Sequence, residues 1–290
     1  MKKLSILPLL FIAYGAAAQT VEEAENLIYQ ARYDGAAQTL ENVIEKDPAN
    51  AEAYYWQTAT YLQQDKPDAV KQTLLAAPET VKGTPLYQVA YGQLLLNGSK
   101  KNSAAHYFNQ ALKETRERDA FVLSAVAKAH IEAEGGDVQY ALELLDKAIK
   151  RDKKNPALYT LKGDAYLKLQ NGSEAFKAYQ EALDKDKAYA AALYKLGNIF
   201  ASQKNTELYL QYYNDAIKAD PAFAPAYYAL YYHYYFTDVA KAMDYYKQYM
   251  QRTDNNLQTE YAYTDLLYLN KQYNEAIQKA NALIQKEGAD

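Results

Sequence analysis

The chain has 290 residues, 49% of them hydrophobic, with a formal net charge of −4 and no cysteine. A mildly acidic balance without clustered Lys and Arg argues against a nucleic-acid partner. The missing thiols exclude disulfides, thiol catalysis and thiolate metal ligands, and a chain of this length can be stabilised by a packed apolar interior instead.

The first element in chain order is Lys2 and Lys3, an apolar run from Leu4 to Tyr14, and the small residues Gly15, Ala16, Ala17 and Ala18. A basic start, a short apolar stretch and a small-residue cleavage site form the pattern of a secretory leader, expected over residues 1–18. The run is shorter than the roughly 20 residues that a bilayer-spanning helix needs, so no integral span is expected in the mature chain. Export to the periplasm or to the outer membrane is the implied location.

Beyond the leader, residues 19–290 read as amphipathic helices joined in pairs, with apolar residues at i, i+3, i+4 and i+7. The pairs begin near residues 20, 51, 85, 119, 157, 190, 224 and 257. Turn signals fall at Asp34-Gly35, Asp47-Pro48, Asn97-Gly98, Asn155-Pro156, Asn171-Gly172 and Asp220-Pro221. A longer turn at Glu134-Gly135-Gly136-Asp137 is expected to separate the helices of the fourth pair.

A fixed period underlies these pairs. Adding 34 to Tyr159, Gly163, Tyr166, Ala175, Tyr179 and Ala182 reaches Leu193, Gly197, Phe200, Tyr209, Tyr213 and Ala216. A second step reaches Tyr227, Tyr231 and Tyr234, and then, after a one-residue deletion, Ala242 and Tyr246. Small residues such as Gly163 and Ala175 are expected where two helix backbones approach, and the aromatics fill the space beside them. One pair cannot bury its apolar face alone, so neighbours must stack into a continuous core.

The order of large and small residues resembles the tetratricopeptide repeat, W-x2-L-G-x2-Y, then A-x3-F, then P over about 34 residues. Leu193-x2-Leu196-Gly197-x2-Phe200, continued by Tyr213-x2-Ala216-x4-Pro221, carries it best, and Ala36-x3-Leu40-x2-Val43-x4-Pro48 repeats its second half. Lys162 and Tyr209 depart from the pattern, and the sole Trp, Trp56, stands two residues beyond the signature position. The resemblance implies an all-α, right-handed solenoid of about eight helix-turn-helix repeats. It also implies a concave side lined by the first helix of each repeat.

Positions next to the core stripe of those first helices are the expected groove. They include Tyr55, Tyr194, Asn198, Tyr228, Tyr232, Tyr235, Tyr261, Asp265 and Tyr268, so the C-terminal half is expected to be paved with tyrosine. Other tyrosines, Tyr54, Tyr61, Tyr159, Tyr166, Tyr179, Tyr213, Tyr227, Tyr234 and Tyr246, fall on core positions instead. Tyrosine combines a large contact area with few rotors and a hydroxyl, and it is enriched where proteins grip one another. Another protein or a peptide segment is therefore the expected partner. The alternative is a carbohydrate binder, in which Tyr261, Asp265 and Tyr268 stack and hydrogen-bond a glycan.

Nothing in the sequence assembles a catalytic group. His106, His130 and His233 lie in different repeats without a second ligand at helical spacing, and no phosphate loop, nucleophile elbow or zinc-binding helix is present. No enzymatic activity, metal or cofactor is expected. The last helix, near Asn274 to Lys286, carries Ala276, Ile277, Ala280, Leu283 and Ile284 with no capping helix after it. That flank is expected to meet a partner or a second copy of the chain.

Overall fold

A computed structural model describes residues 20–254 and 256–288, and the leader expected over residues 1–18 lies outside them. Among the described residues there are seventeen helices and no strand. They pair in sequence: α1 (Val21–Tyr29) with α2 (Tyr33–Lys46), α3 (Ala51–Gln63) with α4 (Pro67–Ala76), and, after the short α5 (Glu79–Lys82), α6 (Pro85–Asn97) with α7 (Lys101–Glu114). Then come α8 (Ala120–Glu132) with α9 (Val138–Arg151), α10 (Pro156–Lys168) with α11 (Gly172–Lys185), and α12 (Ala190–Ser202) with α13 (Thr206–Ala219). The last two pairs are α14 (Ala224–Tyr234) with α15 (Val239–Met250), and α16 (Leu257–Leu269) with α17 (Tyr273–Glu287). Each pair packs on the next, so the molecule is an α-solenoid.

Local chemistry explains the starts and stops. Asn50, Asp119, Asn155, Asn171 and Asn205 each cap a helix by accepting from a free backbone N–H of its first turn. Near the turn signals Asp34-Gly35, Asn97-Gly98 and Asn171-Gly172, a residue other than glycine takes the left-handed conformation. Ala31, Ser99 and Gln170 have φ of 61°, 60° and 57°, whereas Gly35 and Gly172 already belong to helices. The next N–H reaches back five residues in each case, as Asn171 does to the Tyr166 carbonyl at 2.8 Å. Satisfying that carbonyl offsets the backbone strain of roughly 1 kcal/mol or more at a non-glycine residue.

Within a pair, one device recurs with the period of the sequence. A Cβ placed on Gly163 would lie 2.3 Å from the Tyr179 ring, on Gly197 2.5 Å from Tyr213, and on Gly92 2.4 Å from Phe108. An aromatic ring on the second helix thus lies flush on the bare backbone of the first. The Tyr179 hydroxyl then donates to Asp164 at 2.7 Å, and the Tyr213 hydroxyl to Asn198 at 2.8 Å. Of the tyrosines placed on core positions, Tyr54, Tyr159, Tyr179, Tyr213, Tyr227 and Tyr246 are buried, and Tyr61, Tyr166 and Tyr234 are half-buried. Tyr159 and Tyr227 also brace the preceding loop, donating to the Lys153 and Pro221 carbonyls at 3.0 and 3.1 Å.

The longer turn of the fourth pair is held by histidine. His130 Nδ1 accepts from the Asp137 N–H at 3.0 Å, and Gly136 passes so close to the His130 carbonyl that a Cβ would sit 1.9 Å from it. Burial keeps the His130 imidazole below its usual pKa, which suits the neutral acceptor role.

The stack curves until its start meets its later repeats. The Tyr29 ring, at the end of α1, lies between Tyr189 and Phe223, at 5.6 and 5.1 Å, and its hydroxyl accepts from the Ala191 N–H at 2.9 Å. The Asp254 carboxylate, after α15, accepts from the Asp34 and Gly35 N–H groups at the N-terminus of α2, at 2.7 and 3.3 Å. A carboxylate there meets both free donors and the positive end of the helix dipole. The first pair therefore closes against the start of the sixth and seventh and the connection that follows α15.

Replacing Gly163 by Ala drives a methyl into a ring that is buried and hydrogen-bonded. It is expected to lower unfolding stability by about 1–3 kcal/mol. Gly172, with no atom within 4 Å of an added Cβ, is the control, and its Ala variant is expected to stay within about 1 kcal/mol of the parent. Chemical denaturation of the two variants checks the contrast.

Candidate partner-binding groove

The first helices face inward, and their environment differs along the stack. At the N-terminal end α3, α6, α8 and α10 pack directly on one another. Val89, Gln93, Leu96 and Thr160, on the stripe next to the core, are buried by those contacts. Tyr55 follows them. Expected in the groove, it is 1% exposed and covered by Trp56 and Phe121, whose rings lie 5.0 and 5.2 Å away. Crowding between successive inner helices, not a wrong helix phase, removes it from the surface.

Beside α1 this end forms a half-open cavity of about 470 Å³, lined by Glu25, Trp56, Phe121, Lys128, Asp164 and Lys195 among others. Its charges meet one another. Lys195 pairs with Asp164 at 2.7 Å, and Lys128 lies 5.5 Å over the Trp56 ring and 3.8 Å from Glu132. Glu25 is the exception, because it faces Glu52. Burial first and the Glu52 charge second push its carboxyl up to about 7, while the Trp56 indole beside it acts in the opposite direction.

The C-terminal half is open and aromatic. Tyr228 and Tyr232 on α14 are 46% and 63% exposed, and Tyr261 and Tyr268 on α16 are 39% and 63% exposed. Of these, Tyr228 rests on a tyrosine layer. Tyr228 lies 5.1 Å from Tyr249 and 5.3 Å from Tyr231, and Tyr231 in turn lies 4.7 Å from Tyr246. Tyr235 packs on Tyr231 at 5.8 Å. Burial, and then the phenols of Tyr249, Tyr232 and Tyr194, raise the Tyr228 hydroxyl above its usual pKa, and Tyr231 rises to about 12 with Tyr235 and Asp265 also contributing. The Tyr228 and Tyr231 phenols are therefore held in the neutral, donating form.

The remaining expected positions divide. Tyr194 is half-buried, 5.7 Å from Phe223, and so borders the seat of Tyr29. Asn198 is occupied by the Tyr213 hydroxyl. Asp265 is exposed, Tyr261 donates to Glu287, and Tyr268 leans on Tyr273 at 5.5 Å. Tyr194, Tyr228, Tyr232, Tyr235 and Asp265 are thus drawn into one neighbourhood, with Tyr261 and Tyr268 towards the C-terminal end and Tyr55 in the other half. The contacts of Tyr29 with Ala191 and of Asp254 with Asp34 escape sequence reasoning because residues 162 or 220 positions apart share no period.

Neither His106 nor His233 adds chemistry. His106 is exposed beside Tyr107, and His233 shares a 2.7 Å hydrogen bond with the Tyr209 hydroxyl, its pKa lowered by burial. Among the described residues no cluster of three His, Asp or Glu could hold a metal ion, and no helix is long and apolar enough to cross a membrane.

Tetratricopeptide-repeat family models match residues 27–94, 126–189 and 160–222. With the paired helices and the glycine-ring contacts repeating at the same interval, the chain belongs to the tetratricopeptide repeat family. No curated protein sequence matches it. Among solved structures it is similar to the APC/C hetero-tetramer Cut9–Hcn1 at 15% identity and a TM-score of 0.55, over 91% of this chain and 51% of that one. It is likewise similar to the human IFIT1 dimer with PPP-AAAA at 16% identity and a TM-score of 0.54, over 93% of this chain and 72% of that one. The chain spans about half the length of the first of these, and at such identities the likeness is one of fold. Repeats of the tetratricopeptide family serve as scaffolds for protein–protein interaction.

Glu25 provides a pH signature of the closed N-terminal end. Its folded pKa lies above the ordinary value, so the stability that its protonation contributes is full below about 4.5 and lost as pH rises through about 7. Melting temperatures of the parent and of Glu25→Gln are expected to diverge over that window, the parent falling. Parallel curves would contradict this environment for Glu25.

Proposed function

We propose that the protein is a non-enzymatic adaptor of the bacterial cell envelope, whose tyrosine groove on α12, α14 and α16 grips an extended segment or helix of another protein. The observation that carries this reading is the exposure of Tyr228 and Tyr232 on one helix, with Tyr228 packed on the buried rings of Tyr231 and Tyr246 beneath it. Large exposed aromatics cost solvation without a partner, and held rings lose little entropy on binding. Tyr235 and Tyr194 extend the surface, and Asp265 gives it an acceptor for a backbone or side-chain donor. The basic, apolar and small-residue pattern before Gln19 supports export. The uncovered flank of α17 is a second contact surface of the same scaffold.

Truncating one such anchor typically costs on the order of 2 kcal/mol of binding. The triple variant Tyr228→Ala, Tyr232→Ala, Tyr235→Ala is therefore expected to lose capture of proteins from envelope extract while keeping its helical circular dichroism. Capture equal to that of the parent would refute the groove assignment.

A further inference from the structure

The last helix repeats an apolar pair that every preceding repeat from the fourth onward keeps buried or half-buried. The fifth and twelfth residues of the second helices are Leu142 and Ile149 in α9, Phe176 and Leu183 in α11, Leu210 and Ile217 in α13, and Met243 and Met250 in α15. They pack into clusters shared with the following repeat: Phe176 against the one holding Leu196 and Ile199 of α12, Ile217 against the one holding Ala226 of α14, Met243 in the one with Leu267 of α16, and Met250 against the one with Leu266. In α17 the same two positions are Ile277 and Ile284, and they are 58% and 52% exposed. Tyr273, on the same stripe one turn earlier, is 50% exposed.

The residues beside this stripe identify what covers it. Each stripe position, Tyr273, Ile277, Ala280 and Ile284, is followed by an uncharged amide: Asn274, Gln278, Asn281 and Gln285. The charges of α17 lie elsewhere. Lys279 is paired with Glu260 and Glu287 with the Tyr261 hydroxyl, both towards α16, while Glu275 and Lys286 project from the opposite side of the helix. A face that meets its own copy across a two-fold axis sets each group near its equivalent, which a charge tolerates badly. An amide, donor and acceptor at once, tolerates it well.

Resting on the reading of α17 as a contact surface, we propose that this face pairs with the same face of a second copy of the chain, the two α17 helices running antiparallel. The two-fold axis falls between Ala280 and Asn281. Ile277 then meets Ile284 of the second copy and Ile284 meets its Ile277, while Ala280, the smallest residue of the stripe, lets the helices approach at the crossing. The head-to-tail arrangement is closed off, because the first repeat is already engaged through Tyr29 and Asp254 by the start of the sixth and the connection after α15. One helix of 15 residues presents a small face, so the dimer is a weak one, with dissociation constant on the micromolar scale.

Sedimentation velocity over a concentration series tests the pairing. The parent is expected to shift from monomer to dimer, and Ile277→Glu with Ile284→Glu to remain monomeric with unchanged helicity. Asn281→Lys and Asn281→Glu place like charges at the axis, so each alone is expected to weaken the dimer at least tenfold, and an equimolar mixture to restore it. A parent that stays monomeric at roughly 300 μM, far above such a constant, overturns the pairing. So does a mixture no tighter than either variant alone. In that event, loss of envelope partners by the double Ile variant would leave α17 a contact surface for another protein, and unchanged capture would remove that reading too.

Discussion

A ring lying on a bare helix backbone is the constraint from which the rest of this structure follows. Gly163 with Tyr179, Gly197 with Tyr213 and Gly92 with Phe108 set the distance and roll of the two helices in their repeats, since any side chain at the glycine would collide with the ring. In the seventh repeat Tyr231 replaces the glycine and meets Tyr246 ring to ring at 4.7 Å. That exchange moves aromatic mass towards the inner face. The tyrosine layer under Tyr228 and Tyr235 is its direct result.

Because the pairs repeat with nearly one geometry, small rotations between neighbours accumulate into curvature. Curvature decides where function can sit. It presses the inner helices of the N-terminal half together, hiding Tyr55, Val89 and Gln93, and it brings α1 onto Tyr189 and Phe223. The later repeats keep their inner faces open, so the wide tyrosine surface and the uncovered end of α17 lie in the same half of the molecule. A partner held in the groove and a copy docked on the end would occupy neighbouring surfaces.

The periodic part of this arrangement was legible in the chain, because a packing rule renewed every 34 residues leaves a mark at every interval. Buried tyrosines such as Tyr159, Tyr179 and Tyr213 could be told from exposed ones such as Tyr228 and Tyr232 by helical phase alone. Phase could not reveal that Tyr55 is covered from the side, since that depends on how tightly one repeat follows the next. Nor could composition reveal that Ala31, Ser99 and Gln170, rather than the adjacent glycines, would take the left-handed turn positions, a choice made by the carbonyls they must satisfy. Contacts such as Tyr29 with Ala191 belong to the sum of all the repeat rotations and have no local signature.

Closure of the first repeat onto the later ones is the point at which every step of the account must agree, from the glycine-ring spacing to the accumulated curvature. The chain has no cysteine, so thiols placed at positions 34 and 254 are unique reporters, and the Asp34 N–H lies 2.7 Å from the Asp254 carboxylate. Short-span cross-linking of Asp34→Cys with Asp254→Cys in dilute solution is predicted to give an intramolecular link in most molecules without loss of helicity. A chain that stays unlinked, or links only to other chains, would contradict a solenoid that curves back on its own beginning.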